Sequence, residues 1–166
     1  MGTTESGEQR ASPSSRRSGA GGSASAGRVL IADDTFDTRE LYSLYLTLCG
    51  FAVQTATDGE AAIEIALESQ PDVMILDLSM PRLDGITATK RLKEHPRTRQ
   101  IPVIVVTGFP HKAARHAALE AGAELFLGKP CLPDELAKEV QRLVDRRIIG
   151  PGRRPAADQT GTRGSS

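Results

Sequence analysis

Val73-Met74-Ile75-Leu76-Asp77 is a continuous apolar run closed by a carboxylate. A strand buried on both faces reads as such a run, without the alternation of a half-exposed strand. Three further runs end on chemically useful side chains. Val29-Leu30-Ile31-Ala32 ends on Asp33-Asp34, Val103-Ile104-Val105-Val106 on Thr107, and Leu125-Phe126-Leu127 leads through Gly128 to Lys129. In open α/β sheets, ligands bind in the crevice at the carboxyl ends of the strands. A nucleophile, an acid pair, a hydroxyl and a cation on four such ends therefore define a candidate site.

Working outward, strand-like runs at 29–32, 52–55, 73–77, 103–107 and 125–127 alternate with helix-like stretches at 38–49, 59–69, 85–95, 112–121 and 133–148. Gly50 stands where a glycine closes a helix. Asp58 can cap the second helix, and Pro133 with Asp134-Glu135 opens the last with charges that suit its dipole. Strands alternating with helices imply right-handed βαβ units. The expected fold is a flavodoxin-like (βα)5 three-layer α/β sandwich around a five-stranded parallel sheet, over residues 28–148. Residues 1–27 and 149–166, rich in Ser, Gly, Ala and Arg, are expected to be disordered tails, because they lack the apolar surface to offset ordering entropy. Arg16-Arg17, Arg146-Arg147 and Arg153-Arg154 read as solvated basic pairs.

Twenty-one acidic and 21 basic side chains give no net charge, which argues against a generic nucleic-acid or membrane-surface binder. No apolar stretch reaches the roughly 20 residues that span a bilayer, and no apolar core follows the N-terminal charges as in a signal peptide. Cys49 and Cys131 lack CxxC spacing and read as buried or half-buried thiols in a reduced cytoplasm. His95, His111 and His116 read as solvent-facing. The alanines of 113–123 read as a helix packed closely on the sheet.

The site has a definite chemistry. A carboxylate such as Asp77 can attack phosphorus and give an acyl phosphate. Asp33, Asp34 and Asp77 together suit Mg²⁺, and Mn²⁺ would serve as well. Without a metal their mutual repulsion should raise at least one pKa. Lys129 can pair with a phosphoryl oxygen and Thr107 can donate a hydrogen bond to another. Each residue has a plainer reading alone: Asp33-Asp34 as helix caps, Asp77 as a turn former, Thr107 as a strand residue, Lys129 as an exposed charge. Their joint placement favours the site.

The segments VLIADDTFDTRELYSLYLTLCGF, DVMILDLSMPRLDGI, IPVIVVTG and GAELFLGKP together resemble the response-regulator receiver domain of bacterial two-component signalling. The resemblance covers about residues 28–148. It implies Asp77 as phosphoacceptor, Mg²⁺ bound directly by Asp34, largely through water by Asp33, and by the backbone carbonyl of Ser79. It implies a Lys129 contact to the phosphoryl group, a cis Lys129–Pro130 bond, and Pro81 and Gly85 in the loop after the phosphorylated strand. Thr107 and Phe126 would be the switch pair, a hydroxyl moving toward the phosphoryl group and a ring following inward. Phe126 stands where Tyr is common. Gly128 and Cys131 are mild departures, and the small Gly108 leaves the phosphoryl group open to water, which predicts a short-lived phosphorylated state.

The implied function is a signalling switch that takes a phosphoryl group from a histidine kinase or histidine phosphotransfer protein. It would signal by docking an unknown output protein, as a monomer or a phosphorylation-dependent dimer, with 111–121, Phe126 and 132–147 as the output surface. With only a polar tail after Ile149, the chain reads as a stand-alone receiver. It would be an enzyme only towards its own phosphorylation and dephosphorylation. Two alternatives stand beside this. A phosphorylation-independent interaction module would be free to lose one of Asp33, Asp34, Asp77, Thr107 and Lys129, and all five are present. A haloacid-dehalogenase-type phosphatase would carry a second Asp two residues after the nucleophile, where this chain has Ser79.

Overall fold

The computed structural model describes residues 25–150. Five strands, β1 (Arg28–Ala32), β2 (Ala52–Ala56), β3 (Val73–Leu76), β4 (Val103–Thr107) and β5 (Leu125–Gly128), alternate with five helices. These are α1 (Phe36–Leu48), α2 (Gly59–Ser69), α3 (Gly85–Glu94), α4 (Lys112–Glu120) and α5 (Pro133–Ile149). The strands form one parallel sheet in the order β2-β1-β3-β4-β5. The chain runs outward from β1 to β2, then returns past β1 to β3. That reversal opens a crevice at the carboxyl ends of β1 and β3.

The apolar runs are continuous because both faces of the inner strands are covered. Successive side chains point to opposite faces. Leu30, Ala32, Met74, Leu76, Val103 and Val105 pack with α2, α3 and α4 through Ala62, Ala66, Ala88, Leu92, Ala114 and Ala118. Val29, Ile31, Val73, Ile75, Ile104 and Val106 pack with α1 and α5 through Tyr42, Leu46, Leu136, Val140 and Val144. The alanine-rich helices come close to the sheet, as expected of 113–123. β2 is an edge strand with most of its residues exposed.

Asp58 caps α2 by accepting from the Ala61 N–H at 2.9 Å. Asp84 caps α3 through the N–H groups of Ile86 and Thr87, both at 2.9 Å, and His111 caps α4 through Nδ1. Gly50 takes φ +95°, the left-handed form that a residue ending a helix needs.

Several expectations need correction. Cys49 is exposed rather than buried, because it ends α1 at the rim; Cys131 is half-buried. Arg147 is not merely solvated: its guanidinium donates to the carbonyls of Pro71 at 2.9 Å and Asp72 at 3.3 Å, tying α5 to the α2–β3 turn. Arg146 faces Glu124. Ala26 and Gly27, assigned to the tail from composition, join the sheet margin: Ala26 N–H donates to Gly50 O, and Ala52 N–H to Gly27 O. Ile149, also assigned to a tail, ends α5, and Gly150 follows it as the C-cap. The pairs Arg16-Arg17 and Arg153-Arg154, with the rest of residues 1–24 and 151–166, lie outside the described residues.

Candidate functional site

The backbone brings the acids together. Asp77 N–H donates to Ala32 O at 2.9 Å, continuing the β1–β3 ladder one residue past the strand, and Asp33 N–H donates to Ala56 O at 3.2 Å. Asp33 and Asp77 therefore emerge side by side at the crevice. Asp33 Oδ1 accepts from Thr35 N–H at 2.8 Å, and its carbonyl accepts from Arg39 Nη1 at 2.7 Å. The residue that caps α1 is Thr35, with no side-chain cap bond, so the plain helix-cap reading of Asp33-Asp34 does not hold.

One carboxylate oxygen from each of Asp33, Asp34 and Asp77 lies within 4.8 Å of the others; Asp33 and Asp77 are buried and Asp34 is exposed. Lys129 arrives from β5, its N–H bonded to Thr107 O at 2.8 Å. Its ammonium donates to Asp33 Oδ2 at 2.6 Å and faces Asp77 Oδ2 at 3.6 Å. Lys129 is thus largely enclosed rather than an exposed strand-end charge. The Lys129–Pro130 peptide is cis.

Asp77 Oδ1 is buried and has no hydrogen-bond partner among the described residues. A buried carboxylate oxygen left bare is costly, so it marks where a ligand is wanted. Burial raises the Asp77 pKa above the usual carboxylate range; the Lys129 ammonium opposes this, Asp33 adds to it, and the nearby backbone N–H groups of Ser79 and Leu78 oppose it weakly. All-oxygen donors, negative charge and a bare oxygen fit a hard divalent cation such as Mg²⁺.

The loop after β3 is shaped by close approach. A Cβ on Gly85 would lie 2.2 Å from the Asp77 carbonyl oxygen, so α3 can start against the end of β3 only with glycine there. Likewise a Cβ on Gly59 would lie 2.3 Å from Leu83 O. Ser79 is exposed in this loop.

Thr107 is fully buried at the end of β4, and its Oγ1 accepts from Phe109 N–H at 3.2 Å. Phe126 is buried already, packed with the α2–α4 side of the core. Gly128 has a steric reason: a Cβ there would lie 2.8 Å from Pro110 Cγ, so the β4–α4 loop rests on β5.

One residue of the site is absent from the sequence reading. Tyr42, buried on α1, donates its hydroxyl to the Cys131 carbonyl at 3.0 Å, across 89 positions. Burial, with help from Cys131 and Asp33, pushes its pKa up to about 12. Tyr42 and Lys129 also border an open cleft of about 510 Å³ between α1 and the β5–α5 loop.

A crevice of acids and one lysine at the switch point of a doubly wound sheet is where α/β domains of this class bind their ligands. The family model described as "Response regulator receiver domain" matches residues 29–141, and the chain belongs to that family. It is 39% identical over 122 residues to "Response regulator PleD" of Caulobacter vibrioides, covering 74% of this chain and 27% of that protein. It is 39% identical to "Transcriptional regulatory protein PrrA" of Mycobacterium tuberculosis over 120 residues, 72% of this chain and 51% of that one. The chain therefore spans about a quarter to a half of these relatives. Among solved structures, a response regulator from Chloroflexus aurantiacus aligns with TM-score 0.69 and 35% identity, over 72% of this chain and 98% of that one. The Vibrio cholerae chemotaxis protein CheY4 aligns with TM-score 0.67 and 30% identity, over 70% and 97%. The flavodoxin-like fold and the place in two-component signal transduction follow from these matches.

Proposed function

We propose that this chain is a cytoplasmic switch operated by phosphorylation of Asp77. The observation that carries the reading is the buried, unpartnered Asp77 Oδ1 beside Lys129 and two further carboxylates. A carboxylate oxygen of Asp77 would form the bond to phosphorus while the donor, a histidine kinase or histidine phosphotransfer protein, keeps the electrons of the broken P–N bond. Asp33, Asp34, Asp77 and the Ser79 carbonyl would hold Mg²⁺, which when bound offsets negative charge at the site. Lys129, now shared between Asp33 and Asp77, has its ammonium placed to receive a phosphoryl oxygen. Thr107 Oγ1 accepts from the Phe109 amide and keeps its own O–H free to donate to that group, so a shift of the hydroxyl towards it would pull on the β4–α4 loop.

A signal requires two states. Taking the domain from mostly off to mostly on needs about 5.5 kcal/mol of differential stabilisation, which a few charge-assisted hydrogen bonds can supply. The loop after Thr107, α4 and Phe126, which packs among the residues under α4, would carry the change towards the unidentified output partner. Gly108 borders open space, which supports easy water access and a short-lived phosphoryl group. A half-life of many hours would count against that.

The test is intact mass after incubation with acetyl phosphate, with and without Mg²⁺. A gain of one phosphoryl group that needs Mg²⁺ and disappears in Asp77→Asn supports the switch. No gain from acetyl phosphate or from any histidine kinase leaves the alternative, a receiver fold used as a constitutive docking module.

A further inference from the structure

We propose that Tyr42 is a positioning residue for phosphoryl transfer: its hydroxyl tethers the segment after Lys129 to α1 and so holds the Lys129 ammonium between Asp33 and Asp77. The proposal rests on Asp77 being the phosphoacceptor.

Lys129 must reach acids that belong to the far side of the sheet. β1, which ends in Asp33, and β5, which ends in Lys129, are separated in the sheet by β3 and β4. Two main-chain anchors flank the lysine. On one side its own N–H is bonded to Thr107 O at 2.8 Å. On the other, Pro130 has no N–H to offer, and the Cys131 carbonyl takes the Tyr42 hydroxyl at 3.0 Å. Leu132 already begins α5 by accepting from Leu136 N–H.

The other end of the tether is fixed to the same acids. α1 is joined to Asp33 by the Thr35 N–H on Oδ1 and by Arg39 Nη1 on the carbonyl. A closed circuit results: Asp33 to α1, α1 through Tyr42 to Cys131, Cys131 through Pro130 to Lys129, and Lys129 Nζ back to Asp33 Oδ2 at 2.6 Å. Tyr42 is its one link that joins α1 directly to the β5–α5 loop. The residue is 4% exposed, so its ring is fixed by packing, and burial holds the hydroxyl protonated as a donor at working pH.

The consequence is geometric. A lysine stem is long and rotatable, so the ammonium is placed only as well as its backbone is held. Misplacing a catalytic group by about 1 Å can cost up to about a hundredfold in rate. A Phe at this position keeps the packing of the ring and removes only the tether.

The test compares wild type, Tyr42→Phe and Val144→Ala. Val144 packs against Gly27 at the opposite end of the sheet and serves as a control for general loss of stability. Two measurements are made: site-resolved amide exchange of the metal-free protein, and phosphorylation by saturating acetyl phosphate with Mg²⁺ affinity determined alongside. The expected result for Tyr42→Phe is exchange roughly tenfold faster at the hydrogen-bonded amides of Lys129 and Leu136 alone, whose partners are Thr107 O and Leu132 O. The saturating rate should fall about three- to tenfold with the Mg²⁺ Kd within about twofold. Val144→Ala should leave that rate within about twofold at a matched fall in Tm. A Tyr42→Phe rate equal to that of the control, or faster exchange spread over the whole sheet, overturns the proposal while the switch reading stands. A wild-type chain that takes no phosphoryl group overturns both, and the exchange data then show whether the tether itself exists.

Discussion

Asp77 sits where its own charge is unwelcome. Burial raises its pKa from 3.8, more than Lys129 can offset. A carboxyl whose folded pKa is raised contributes stability that is fully present below the unfolded pKa and lost as pH rises through the folded value. Asp77→Asn, a neutral isostere, should therefore unfold at higher urea concentration than wild type at pH 7 without metal. The gain should shrink as pH falls and vanish below about 3.8. Equal urea midpoints at pH 7 would show that Lys129 fully compensates the charge. Asp77, Asp33 and Lys129 were readable in the sequence because each ends an apolar run, and a strand end is a fixed address in a parallel sheet. Tyr42 was not readable, since nothing local tells a buried helix tyrosine that its partner lies 89 residues on. Nor was the buried state of Phe126, because a strand residue's burial depends on which helices cover it.

The elements were legible for the same reason that they are stable. Asp58, Gly50 and Pro133 mark helix ends by local chemistry, and all three stand where that chemistry puts them. The start of α1 at Phe36, two residues earlier than its pattern suggests, depends on Thr35 O accepting from Arg39 N–H after the tight Asp33–Thr35 turn. Gly85 binds element to site most closely. Gly85→Ala would press a Cβ to 2.2 Å from Asp77 O, a backbone atom that cannot step aside cheaply. The expected cost is about 1–3 kcal/mol of stability, with a fall in Asp77 phosphorylation because α3 and the end of β3 must separate. A chemical-denaturation midpoint unchanged from wild type would mean that the loop absorbs the methyl. Asp58→Ala should cost about 1 kcal/mol through the lost α2 cap, and more if the lost partner of Arg82 at 3.4 Å also loosens the β3–α3 loop. The same denaturation series, run with Asp58→Asn as the variant that keeps a capping oxygen, separates the two.

At the scale of the whole molecule, zero net charge conceals a division that composition could not reveal. From Arg28 to Asp84 there are eleven Asp and Glu against three Lys and Arg; from Gly85 to Glu120, seven Lys and Arg against two Asp and Glu. The fold keeps these groups apart in space, because β1, β2, α1 and α2 lie towards one edge of the sheet, and α3, α4 and β5 towards the other. The acid-rich half contributes Asp33, Asp34 and Asp77. Its remote charges, such as the exposed Glu64 and Glu68 of α2, add a field at the crevice that a divalent cation feels twice over. Such long-range terms are screened over about 10 Å at 0.1 M salt and about 30 Å at 0.01 M. Mg²⁺ should therefore bind several-fold more tightly in about 0.01 M than in about 0.15 M salt. The double variant Glu64→Gln/Glu68→Gln should weaken binding by about twofold at the lower ionic strength and by less at the higher. Calorimetric titration of Mg²⁺ into the metal-free protein measures both. An affinity indifferent to salt would mean that the directly ligating groups alone set it, and that the division of charge serves contacts with other molecules instead.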